Sequence, residues 1–593
     1  MIIFKTDTIE IDLSNFGVSL KEESNLFSDS FNNSYSLPFK IDASEELAVK
    51  LGLPFLDNIT NVQTRLRGKL ITANTYYNAT LFLGEILGNS IECDLSFGDQ
   101  ENSVFGMPLK DLPWPVILSP NLRDYAKNQL TKEWPETAFN FPMIHAPKIA
   151  EQDDYSHFLG YVNNFDGINF RQNSSALIDG ETVYRNYNVL APFPYLLEIL
   201  RFGFSLEGKI ITGPAVNDEL LRKVVYIPEN FLERFRGTEF QSFSFSTADE
   251  VATENDVSLS IYKRSFTLEE IGEYNIKFKL NLDPIIAEYF ELKVTLEHPS
   301  TFVETEIFTA QSQFYRVKME EELKLNITSA TQLHTLKVVL KLKYQSASIA
   351  GTNQFEYAYS DGRLNEFPTY FSLANFLPDM NFGEFVNTMK NWLNLDFTIG
   401  DHEVHINFTQ DSILEKPRRD HNHLEIPKPN KKHNSNRFYQ LSYANGQRVF
   451  YKKQGQIYSD LEEDGEEIIK IDMDVQPADY KLKDGHFTAI MPEDRCAIDF
   501  LVYDGFQGSR PFASPDRIRE LFLQAVYLKY WQQWLSYRVN SKTFKESFEC
   551  SVYERISIDE LSYKYSELHV IKKLSRKFLS EKTMRVTIES ETF

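Results

Sequence analysis

Apolar residues at every second position are what most constrain this chain. The stretch LHTLKVVLKLKYQ at 333–345 alternates apolar with polar side chains, as do VSLSIYKRSFTL at 257–268, GEYNIKFKLNL at 272–282, YFELKVTLEH at 289–298 and ELKLNITSA at 322–330. Successive side chains of a strand point to opposite faces, so this period gives each strand one face for a core. The runs predict a β-sandwich-like domain over 246–350. Shorter runs (TIEIDL, YSLPFKI, TRLRGKLI, YNATLFLGEIL, SIECDLSFG) fill residues 1–110. Gly68, Gly84, Gly88 and Gly98 punctuate the later ones, the pattern of a small barrel or sandwich. Pro38 cannot donate to a ladder, so its segment belongs on an edge strand or at a bulge.

Three segments change period. In APFPYLLEILRFGFSLEG, residues 191–208, Leu196, Leu197, Leu200 and Phe204 form one apolar helical stripe. Phe382, Phe385, Met389 and Trp392 fall at helical spacing too, and a hairpin signal at Gly400-Asp401 follows them. The run RIRELFLQAVYLKYWQQWLSYR, residues 517–538, predicts the best helix of the chain. The expected class is therefore α+β, predominantly β, with β-barrel or sandwich domains joined by helix–hairpin units. The expected divisions are an N-terminal β domain at 1–110, an aromatic and Pro-rich elaboration at 111–190 and an α/β unit at 191–245. The sandwich-like domain at 246–350, a helix–hairpin unit at 351–415 and a β-rich C-terminal domain at 416–593 follow. A length of 593 residues suits several cores, since single cores stop growing near ~250–300 residues.

The formal net charge of −23 opposes binding to nucleic acid and to anionic membranes. Cys93, Cys496 and Cys550 are too few and too scattered for a disulfide framework or a cysteine zinc site, and fit a reducing compartment. The N-terminal MIIFKTDTIEIDL carries acidic residues where a signal peptide needs an apolar run, and no stretch suggests a membrane-spanning segment.

Candidate chemistry is sparse. His402, His405, His421, His423 and His433 invite a metal test. On a strand, however, His402 and His405 point to opposite faces, and the others read as solvated histidines in a polar, mobile stretch at 411–440. Acidic pairs such as Asp153-Asp154, Glu321-Glu322 and Glu462-Glu463-Asp464 are expected by chance among 85 carboxylates. No GxSxG, HExxH, GxGxxG or Walker-type run occurs, and Cys93 in IECDLSF reads as a core thiol. No catalytic residue, metal ligand or cofactor is expected. The basic PKPNKKHNSNR reads as a solvated loop, and the aromatic stretch from Trp114 to Phe165 as core, subunit contact or sugar platform.

Four segments, in order, resemble tail hub (baseplate hub) proteins of bacteriophages and prophages, those of Bacteroidetes type especially. They are FSDSFNNSYSLPFKI with LGLPF at 27–55, the helix-to-helix stretch 191–227, FLPDMNFGEFVNTMKNWLNLDFTIGDHEVHINF at 376–408, and the aromatic helix around YLKYWQQWLSYR with its strand-rich tail. The resemblance implies hub-like β domains and a homotrimeric ring that joins a tail tube to baseplate, spike or receptor-binding proteins. It further implies passage of DNA without specific binding, synthesis in the bacterial cytoplasm, and residence in a virion tail or tail-like particle. Tyr35, Leu37, Pro38, Phe39, Trp114, Trp134, Leu377, Pro378, Phe385, Trp392, Tyr530 and Trp534 are then its candidate interface and packing residues. The competing expectations are a non-catalytic carbohydrate-binding or adhesin protein and a polysaccharide-active hydrolase, which needs two carboxylates converging across a groove.

Overall fold

The computed structural model describes residues 2–14, 16–27, 34–42, 45–51, 64–72, 76–88, 90–98, 103–151, 155, 157–178, 181–232, 240–245, 247–254, 257–268, 272–282, 289–312, 317–328, 331, 333–343, 354–360, 367–580 and 582–593. The chain is α+β and predominantly β, with several sheets and scattered helices. Asp153 and Asp154 lie outside the described residues.

The two ends of the chain build one 14-stranded sheet. Strand Ser19–Glu23 pairs antiparallel with Glu567–Phe578, in the register Leu20↔Arg576 and Glu22↔Leu574. Phe4, Ile11, Leu20, Leu81 and Leu95 from the start of the chain share a core with Leu574, Val586 and Ile588 from its end. One strand of 1–110 thus takes a neighbour more than five hundred positions away, while the others pair among themselves, and Arg576 buries its guanidinium against Glu22. The expected barrel is not what forms. The sheet is open, ending on Glu10–Asp12 at one edge and Asn430–His433 at the other. Across Leu37-Pro38 the pairing with strand Ser90–Phe97 slips by one residue, from Tyr35↔Ser96 to Phe39↔Cys93. Proline sits where the ladder is interrupted because it has no N–H to give it.

A second core gathers the helices. In Phe382–Leu393, a capping box between Asn381 and Glu384 closes the start and left-handed Asn394 (φ 50°) ends it. The hairpin of Leu395–Ile399 and Glu403–Phe408 follows directly. Helix Leu196–Ser205 crosses this helix so closely that a Cβ on Gly203 would stand 2.1 Å from the Phe382 ring. The long aromatic helix starts later than its sequence suggests. Phe522 is extended (ψ 147°), so only a short 3-10 turn precedes it, and the helix runs from Leu523 to Asn540 through a π turn at Tyr527–Trp531. The 411–440 stretch, expected to be mobile, is pinned instead. Arg418–Asp420 pairs with Leu561–Lys564, and Asn430–His433 with Lys542–Ser551.

Residues 240–360 form a module inserted into this body. A four-stranded and a five-stranded sheet face one another across one core, in which Phe266 stacks on Phe355 at 5.7 Å and Phe278 on Phe308 at 5.7 Å. In Thr335–Lys343 every second residue is buried, as the alternation requires. The expected barrel or closed sandwich is not reached, because each sheet keeps two open edges and no sheet closes on itself among the described residues.

The cores are joined at Glu591, on the last strand, Thr583–Thr592. Its carboxylate is fully buried and accepts from Arg437 Nη2 at 2.8 Å, Arg437 Nη1 at 3.0 Å, Arg538 Nε at 3.0 Å and Ser541 Oγ at 3.1 Å. Removing one partner of such a cluster leaves charge buried and unpaired. Glu591→Ala is expected to cost about 3–5 kcal/mol in denaturant unfolding, whereas the exposed pair Lys110–Asp379 contributes under about 1 kcal/mol.

Candidate functional site

The candidate residues read from the sequence divide between the two cores. Phe385 and Trp392 are fully buried on one face of their helix, and Trp392 Nε1 donates to the Tyr443 hydroxyl at 2.6 Å. Tyr530 and Trp534 come from the last helix, and the π turn lets adjacent Tyr530 and Trp531 both face inward. Trp531 Nε1 donates to Trp392 O at 3.2 Å, and Asn394 Nδ2 to Tyr530 O at 2.8 Å. Trp114 stacks on Phe202 with centroids 3.9 Å apart, and Trp134 donates to buried Glu198 at 3.1 Å. Both tryptophans therefore pack the body and offer no open sugar platform. Leu377 packs against the same core, with Pro378 beside it at the approach to the helix. Phe39 is buried in the terminal sheet, while Tyr35 and Leu37 are exposed on it.

The histidines are not one group. His421 is buried, with Nδ1 beside Ser562 Oγ at 2.9 Å and Nε2 beside Arg555 O at 3.0 Å, contrary to the solvated reading. His402 and His433 are exposed. Among the described residues no group of three His, Cys, Asp or Glu side chains could hold a metal ion. The cysteines are unpaired, and burial together with the neighbouring Asp94 and Glu92 pushes the Cys93 thiol up to about 12, which leaves it inert.

A polar concavity lies on the inserted module, at the acidic pair Glu321-Glu322. It measures about 380 Å³ and lies on the outer face of the four-stranded sheet. Two rungs cross it. Lys277 stands between Glu322 and Glu356, and Lys279 between Glu320 and Gln354. Strand pleating puts Lys277 and Lys279 outside while Phe278, between them, points into the core. Lys277 Nζ is 3.5 Å from Glu322. The face thus alternates carboxylate, ammonium and amide groups across three strands. The signal was present in the sequence as charged residues at every second position, but only strand pairing puts residues 277, 322 and 356 side by side.

No protein-family model matches this chain, and no curated protein matches it. Solved structures resemble parts of it weakly. Murine APRIL matches at 8% identity over 21% of this chain and 100% of its own, with a TM-score of 0.16. The infectious bursal disease virus VP2 subviral particle matches at 10% identity over 22% of this chain and 34% of its own, with a TM-score of 0.16. A CBM4 structure matches at 11% identity over 22% of this chain and 87% of its own, with a TM-score of 0.12. Scores this low carry no functional argument. The expectation of a phage or prophage tail part, a baseplate hub or virion protein, is corrected by these findings. Neither a family model nor a curated relative backs it.

Burial moves three histidines in one direction. It lowers His145 to about 4, helped by Lys483 and Lys481, and it lowers His421 and His569 as well. A histidine held neutral in the fold binds fewer protons than in the unfolded chain. Its stabilising contribution is therefore full above the unfolded value of about 6.5 and is lost as pH falls toward the folded value. Melting temperature is expected to drop between pH 7 and pH 4.5, and His145→Asn to flatten that slope.

Proposed function

We propose that this chain is a non-catalytic binding protein whose inserted module takes hydroxyl-rich ligands, oligosaccharides above all, in the charged concavity of its four-stranded sheet. The observation that carries this reading is the pair of rungs Glu322–Lys277–Glu356 and Glu320–Lys279–Gln354. A sugar hydroxyl donates one hydrogen bond and accepts others, so a surface that alternates carboxylate, ammonium and amide satisfies it in both senses. The glutamates sit on an open sheet face, not in the apolar pocket that a general acid needs, so the arrangement suits binding and not hydrolysis. No aromatic ring is exposed among the described residues lining the concavity. Affinity then rests on hydrogen bonds alone and is expected near ~1 mM per site, about −4 kcal/mol.

Strands Phe240–Ser244 and Gln354–Ser360, the first and last of the module, are antiparallel neighbours, so the module enters and leaves at one end. It has its own core. This geometry suits display of a binding module on a rigid body.

The test is glycan-array screening of the full chain followed by titration calorimetry of the best ligand. Lys277→Ala with Lys279→Ala is expected to weaken binding about tenfold or more while leaving the melting temperature within about 2 °C, as for other exposed substitutions. Unchanged affinity in this double variant, or no glycan bound by the parent chain, refutes the reading.

A further inference from the structure

A separate cavity of about 210 Å³ lies where the N-terminal segment, the Phe382–Leu393 helix, the central sheet and the last helix meet. Arg437, Tyr439, Trp531, Trp534, Arg538 and Lys572 line it. Its charge is out of step with the chain. Lys432 and Arg437 share Glu467 at 2.8 and 4.0 Å, Arg437 and Arg538 share Glu591 at 2.8 and 3.0 Å, and Lys545 and Lys572 share Glu589 at 3.0 and 3.4 Å. Four cations line the cavity itself, Lys390, Arg437, Arg538 and Lys572, against one lining carboxylate, Glu467, in a protein whose net charge is −23. Lys432 holds the Glu467 carboxyl below its usual range. At Glu589 and Glu591 burial opposes the same direction, yet Lys545 with Lys572, and Arg538 with Arg437, still lower them.

A second observation is independent of charge. The Tyr439 hydroxyl and Arg437 Nε are buried without a hydrogen-bond partner, and the Tyr439 residue is only 2% exposed. A buried donor left unpaired is costly, and most such groups in folded proteins find a partner. Beside them are flat apolar surfaces: Trp534 and Phe27 lie 5.6 Å apart, and the Arg538 guanidinium stands over both rings. Excess positive charge, an unpaired hydroxyl and aromatic walls suit one chemical class.

We infer that this cavity binds a small organic carboxylate with a flat apolar body, its anionic end toward Arg538, Lys572 and the Tyr439 hydroxyl. A volume of about 210 Å³ equals several water molecules at about 30 Å³ each, enough for a single-ring acid. The site is separate from the module and stands whether or not the module binds sugars.

The probe is benzoate, titrated into the full chain and followed by tryptophan fluorescence, with benzamide as the neutral isostere. Benzoate is expected to change the emission saturably and benzamide to leave it unchanged. Tyr439→Phe, which keeps the ring and removes only the unpaired hydroxyl, is expected to weaken benzoate about tenfold without lowering the melting temperature. Lys572→Gln, outside the Glu591 cluster, is expected to weaken it and to reduce its salt dependence, and it serves should the tyrosine variant misfold. No saturable response to benzoate, an equal response to benzamide, or unchanged affinity in both variants overturns the inference.

Discussion

A single buried carboxylate links the terminal sheet to the helical body. Glu591 stands on the last strand of the terminal sheet and reaches into the body, where Arg437 opens a central strand and Arg538 belongs to the last helix. Each charge alone would be prohibitively costly to bury. Together, with Ser541 also donating, they satisfy the carboxylate and fix the sheet against the helix. Such a cluster tolerates little displacement, because its strength depends on bidentate geometry in a region of low dielectric. Similar constraints hold elsewhere in the same sheet: Lys564 is buried against Glu546 at 2.9 Å, and Arg576 against Glu22.

Around that joint the aromatic side chains act as filler with polar handles. Trp392, Tyr443, Tyr530 and Trp531 come from three elements, and most of their N–H and O–H groups find partners in one another or in main-chain carbonyls. The Tyr530 hydroxyl is buried without one. These four aromatic side chains thus fill a large core. The two proposed binding places lie elsewhere: a charged sheet face on a module with its own core, and a cationic cavity beside the joint. Both are built from residue types that a sequence presents as ordinary surface charge.

Local patterns were legible wherever one period dominated. Alternation marked the strands of the inserted module, and helical spacing marked Phe382–Leu393 with its hairpin. Pro38 was placed at an interruption for the right reason, its missing N–H. The reading went astray where a local signal competes with tertiary context. Phe522 looks helical in its run but is extended. The polar 411–440 stretch looks unstructured but supplies two strands whose partners, Leu561–Lys564 and Lys542–Ser551, lie more than a hundred residues further on. His421 looks solvated, yet Ser562 and Arg555, well over a hundred residues away, enclose it.

The sequence by itself therefore determined the class of this protein: predominantly β, with helices where the apolar period lengthens, because backbone geometry imposes its period on any face that must be buried. It also determined that the three cysteines build no scaffold. Only the tertiary structure decided that the chain's two ends share one sheet, that no sheet closes among the described residues, and that Lys277, Glu322 and Glu356 form one rung. It alone brought Lys390, Arg437, Arg538 and Lys572 to one cavity with Tyr439, whose hydroxyl is unpaired. The physical reason is range. Periodicity is a property of neighbouring residues, whereas strand partners and buried charge clusters are chosen by packing between segments hundreds of residues apart.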